Sequence, residues 1–134
     1  MKVEFACFGF KRPDALILSD EITNSEELTG SQVTTKGASG IGTGVVELII
    51  VGTVAGTAIA GWLANRIYQI RQRFRPLIVI DAAGADIKVE VREDIPGMRG
   101  EVIFRSSDGS EVRIESPDEL NNVEDALARL LDVI

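Results

Sequence analysis

The sequence predicts an α+β fold: an antiparallel sheet of four to five strands packed by one long Gly/Ala-rich helix and a C-terminal helix. Three observations lead there. Residues 45–75 (VVELIIVGTVAGTAIAGWLANRIYQIRQRFR) are almost free of charge until a cluster of arginines closes the run. Residues 77–115 alternate between apolar and polar side chains in two hairpin-like pairs. From Ser116 onward a helix-start pattern is followed by leucines at helical spacing. At 134 residues the chain fits a single domain. Its expected parts are a strand–short helix–strand lead-in (1–36), a Gly-rich linker (37–44), the long helix (45–75), and two hairpins with the C-terminal helix (76–134).

Residues 3–10 (VEFACFGF) alternate imperfectly and predict a strand, which Pro13 stops. A short helix is expected within 14–29, where Ser25, Glu26 and Glu27 have the polar character of a helix start and Gly30 that of a stop. Ser31 to Lys36 reads as a short edge strand. Gly37, Gly40, Gly42 and Gly44 invite a phosphate-loop reading. Such a loop follows a hydrophobic strand and, in its P-loop form, closes on Gly-Lys-Ser/Thr. Neither condition is well met, so the stretch reads as a linker, with Thr43 as candidate N-cap of the long helix.

Within residues 45–75, Gly52, Gly56, Ala60 and Ala64 recur every fourth residue. In a helix that spacing makes a ridge of small side chains on which another backbone can lie closely. Trp62 and Leu63 add bulk, and Arg66, Arg71, Arg73 and Arg75 form a basic collar. Leu48 to Asn65 is an uncharged run of 18 residues, which just reaches the length of a membrane span. The arginines would then serve as a positive-inside anchor. Against a span, roughly half of the run is Gly, Ala or Thr, and Glu47 stands at its entrance. A buried or self-associating helix is the preferred reading, and a span is the alternative.

Pro76 ends the helix. The first hairpin joins 77–82 to 87–91 through a turn at Gly84-Ala85, which pairs Ile80 with Val89 and Ile78 with Val91. Leu77 and Val79 make its first strand apolar on both faces, as in an interior strand. The second hairpin joins 101–105 to 111–115. A three-residue loop, Ser107-Asp108-Gly109 with Gly109 left-handed, places Val102, Phe104, Val112 and Ile114 on one face. The last helix starts with Ser116 as N-cap, Pro117 at N1 and Glu119 closing a capping box. Leu120, Val123, Leu127, Leu130, Leu131 and Ile134 form its apolar stripe.

Composition narrows the function. Net charge is −7 and the pI about 4.6, which argues against a nucleic-acid partner. With no His and a single cysteine, Cys7, the chain lacks the usual metal ligands and general base. One thiol fits a reducing cytoplasm, and Cys7 reads as a small buried apolar side chain. Charge is uneven: residues 44–76 carry four Arg and one Glu, whereas 77–134 carry six basic and fourteen acidic groups. Asp81, Asp86, Asp94 and Asp108 fall at or near turns, where Asp is expected on structural grounds. These residues supply no catalytic, cofactor or metal site, and no enzyme is expected.

The order of parts resembles the effector-associated constant component families of bacterial conflict systems, particularly the first such family. The residues that carry the resemblance are Gly40-Ile41-Gly42, Glu47-Leu48, Gly52, Trp62-Leu63, Arg66, Arg71, Arg73, Asp108-Gly109 and the closing Leu127, Leu130 and Leu131. The segment 83–100 departs from the pattern as an additional strand and loop. The resemblance implies a non-catalytic, cytoplasmic adaptor that couples a sensor to an effector in anti-phage defence. Its partner would be an effector or sensor protein encoded nearby, with a homo-oligomer expected. Candidate contact residues are Gly52, Gly56, Ala60, Trp62, Arg66, Arg71, Arg73 and Arg75. The alternative is an effector anchored in or inserted into the inner membrane by 45–75.

Overall fold

The structure, a computed structural model, describes residues 1–37, 44–82, 86–106, 108–114 and 117–131. Strand β1 (Lys2–Lys11) leads into helix α1 (Arg12–Thr23), and strands β2 (Thr29–Gly37) and β3 (Val45–Thr53) follow. Helix α2 (Ile59–Phe74) comes next, then β4 (Leu77–Asp81), β5 (Ile87–Arg92), a 3-10 turn (Pro96–Met98), β6 (Val102–Arg105), β7 (Glu111–Arg113) and helix α3 (Leu120–Leu131). The seven strands form one sheet in the order β2-β3-β1-β5-β4-β6-β7. Pairing is parallel between β1 and β5 and between β4 and β6, and antiparallel elsewhere.

The fold is therefore α+β with a mixed seven-stranded sheet, not an antiparallel sheet of four or five strands. Two features account for the difference. Strand β1 is recruited into the middle of the sheet, where it pairs with β3 on one side and β5 on the other. In addition, the run expected as one helix over 45–75 is divided: 45–53 is strand β3, residues 54–58 turn, and only Ile59–Phe74 is helical. Val45, Val46, Ile49, Ile50 and Val51 are β-branched, and such side chains favour the extended backbone. Strand β3 lies between β2 and β1, so Val45, Ile49 and Val51 are half-buried behind the core-facing Val46, Leu48 and Ile50. An interior strand of this kind reads as a continuous apolar run, which hides its period of two. Among the described residues, no helix is long and apolar enough to cross a membrane, and the span expected over 48–65 is broken by the turn.

The sheet register places Phe5, Cys7, Leu48, Ile50, Val89, Val91, Ile78, Ile80, Val102 and Phe104 on one face. The same side chains share one buried cluster with Leu18 and Ile22 of α1, Leu63, Ile67 and Ile70 of α2, and Val123 and Leu127 of α3. All three helices thus cover one face, and each fully buried side chain of this size contributes roughly 1.5–3 kcal/mol. Trp62 locks α2 to both sides: its ring meets Phe5 edge-on at 5.9 Å, and its indole N–H donates to Ser25 Oγ at 2.8 Å. Cys7 is fully buried, and burial pushes its thiol up to about 12. Gly9 sits at the irregularity of β1 with φ +85°, and a Cβ there would lie 2.8 Å from the Asp94 backbone nitrogen. No larger residue fits that crossing.

Helix α1 starts at Arg12, with Pro13 in its first turn, so Pro13 opens the helix as well as closing the strand. Ser25 and Glu27 do not start a helix; they form a hydrogen-bonded turn behind α1. The first hairpin has the expected register, Ile80 opposite Val89 and Ile78 opposite Val91, and β4 is interior. Its turn at Gly84-Ala85 lies outside the described residues. In the second hairpin Phe104 faces Val112, Ser106 N–H donates to the Ser110 carbonyl at 2.9 Å, and Gly109 has φ +86°. That is the three-residue register. Helix α3 begins at Leu120, later than the expected start at Pro117. Ser116 and Ile134 lie outside the described residues, as do 38–43 with Thr43.

Candidate interaction surface

The predicted contact residues do not form one surface. Gly52 is buried in β3, where a Cβ would come within 2.5 Å of Leu28 Cδ1. That closeness seats the segment entering β2 against β3. Gly56 lies in the exposed turn before α2, while Ala60 and Ala64 lie on the helix, half-buried and buried respectively. The four-residue ridge does not exist, because it needed helical geometry that begins only at Ile59. Trp62 is a core residue.

The arginine collar is largely occupied within the molecule. Arg66 donates from Nη1 to the Glu21 carbonyl at 2.6 Å and from Nη2 to Asn65 Oδ1 at 3.2 Å. Arg71 is only 7% exposed. Its Nε donates to the Gly100 carbonyl at 2.8 Å and its Nη1 to Asp118, just before α3. That hydrogen bond, with the guanidinium charge, holds the Asp118 carboxyl below its ordinary value. Arg73 pairs with Glu21 at 3.5 Å. Arg75 takes the left-handed conformation that caps α2. Arg71 and Arg73, in the last turn of α2, also complement its dipole. Together Arg66, Arg71 and Arg73 fasten α2 to α1 and to the segments before β6 and α3.

The face of the sheet opposite the helices carries alternating charges across its strands. One row runs Glu4, Lys88, Asp81, Arg105, Glu111 from β1 to β7. Glu4–Lys88 and Asp81–Arg105 each close at 3.6 Å, and Arg105–Glu111 at 3.0 Å. Arg92 lies over the Phe8 ring at 4.4 Å on the same face. A cleft of about 620 Å³ lies between β7 and α3, lined by residues including Ile114, Asn122, Asp125 and Arg129. Among the described residues no group of three or more Cys, Asp or Glu side chains is placed to hold a metal ion.

Comparison with protein-family models, with curated proteins and with solved structures finds no match. The resemblance drawn from the sequence therefore stands on its quoted residues alone.

The longer of the two edge strands of the sheet is β2. All nine of its residues are exposed, and among the described residues it pairs with β3 on one side only. Of its side chains only Lys36 is charged, and Val33 is 48% exposed. Beside it, α1 presents Leu16, 64% exposed, and Ile17. Leu16 and Val33 border one groove with Arg12 and Thr35. The sequence reading found the edge strand but not its apolar flank. The available signal was Leu16-Ile17 adjoining Leu18, one apolar pair more than a single buried stripe of α1 needs.

Proposed function

We propose that this chain is a non-catalytic protein-contact module, an adaptor of the kind its sequence resemblance implies, which couples a sensor to an effector in a bacterial conflict system. The observation that carries the reading is the nine-residue β2 edge with its exposed Val33, flanked by Leu16. An exposed sheet edge offers a row of backbone donors and acceptors to an added strand, and neighbouring apolar side chains set which strand fits. Contact by the arginine collar has a smaller part in the proposal, because Arg66, Arg71 and Arg73 already have partners inside the molecule.

The test is a plaque assay in a phage-sensitive bacterial host that carries this gene with the genes encoded beside it. Deleting the gene is expected to remove protection, and Val33→Lys in the full chain is expected to do the same. Val33 is exposed, so the substitution leaves the core unchanged. Full protection by the Val33→Lys chain would exclude the β2 edge as the working contact.

A further inference from the structure

We infer that the occupant of the β2 edge is a second copy of this chain, added antiparallel about a two-fold axis at Val33. This rests on the contact-module reading and names its partner. A two-fold at Val33 sets each residue opposite the one whose number completes 66. Val33 meets its own copy, Gln32 meets Thr34, Ser31 meets Thr35 and Gly30 meets Lys36. No like charges face each other, because Lys36 is the only charge on the strand. The pairing joins two seven-stranded sheets into one and removes the exposed edge.

The flank of the edge has the same self-complementarity. Arg12, Leu16 and Asp20 are exposed and recur every fourth residue along α1, on one stripe. The two-fold sets the two α1 helices antiparallel on one side of the joined sheet. The Arg12 end of one then lies toward the Asp20 end of the other, with Leu16 near the middle. Val33 shares the core side of the sheet, since it pairs with Ile50, so Val33 and Leu16 of both copies come to a single apolar seam. A partner of different sequence would have to supply a basic–apolar–acidic stripe of its own, which this chain already carries.

Light scattering on the full chain during size-exclusion chromatography tests the inference. The wild type is expected at twice 14.5 kDa, about 29 kDa. Val33→Lys and Val33→Glu each place like charges face to face, and each alone is expected to weaken association about tenfold or more. An equimolar mixture of the two variants is expected to return to the dimer mass, because opposite charges then meet across the axis. Recovery in the mixture cannot come from misfolded chains. A wild type that stays at 14.5 kDa at high concentration, or a mixture that stays monomeric, overturns the inference. If the wild type is monomeric and Val33→Lys still abolishes plaque protection, the second copy is excluded while the contact-module reading stands.

Discussion

The two edges of the sheet are built in opposite ways. Strand β7 is three residues long, carries Glu111 and Arg113, and stands beside α3 across the cleft. Its charges are engaged with β6 and the residue before it, Glu111 with Arg105 and Arg113 with Glu101 at 3.4 Å. Shortness and charge are the usual means of blunting an edge against further pairing. Strand β2 is nine residues long, has one charge, and leaves Val33 open beside Leu16. One edge resists an added strand and the other is suited to receive one. A fold that protects one border and leaves the other open has a direction in which it can grow.

The largest expected effect tests whether the β7 edge depends on the core behind it. Phe104 is fully buried and sits opposite Val112. Phe104→Ala is expected to lower stability by about 3–5 kcal/mol, read as a reduced denaturant midpoint. A loss below about 1 kcal/mol would mean that β6 and β7 are not anchored by this ring. The comparison sharpens with Val112→Lys, since Val112, at 42%, is about as exposed as Val33. This change is expected to alter stability by no more than about 0.5 kcal/mol and to leave the mass by light scattering unchanged. Disruption of association by Val112→Lys would reverse the roles of the two edges. The smallest effect concerns the link between α2 and α3. Asp118 is held below its ordinary value by Arg71, so its contribution is present above the unfolded-state value and is lost as pH falls through the folded one. Asp118→Asn should therefore lower Tm slightly at neutral pH, and the gap should close in strong acid. A gap that persists there would remove the charge pair as its cause.

Much of the sheet was legible in the residues. Strand β1, the edge position of β2, the register of the β4–β5 hairpin and the left-handed Gly109 all follow from alternation and turn chemistry. What misled was the absence of charge from 48 to 65. Low charge marks burial and says nothing of period, and an interior strand followed by a helix start makes one apolar run from two structures. Gly52 and Gly56 completed a spurious four-residue repeat by falling into step with Ala60 and Ala64, which do lie on the helix. The parallel β1–β5 pair joins segments more than eighty residues apart, and no local pattern announces it. The contact surface was obscured for a related reason. Arginines close together in sequence suggest a patch, but α2 turns Arg66 and Arg73 toward Glu21 and Arg71 toward Gly100 and Asp118, so they serve neighbours inside the fold.

The place of β1 also sets an order of events for a chain emerging from the ribosome. Strands β1, β2 and β3 complete an antiparallel unit within the first 53 residues, but the other side of β1 waits for β5, which ends at Arg92. Until then a central, apolar strand has a free side, and closing such long-range pairs slows folding. The nascent protein would present two sheet edges, of which the mature one keeps only β2. Rapid synthesis through residues 54–92 would shorten that interval, and a chaperone held on the growing chain would shield the free side of β1.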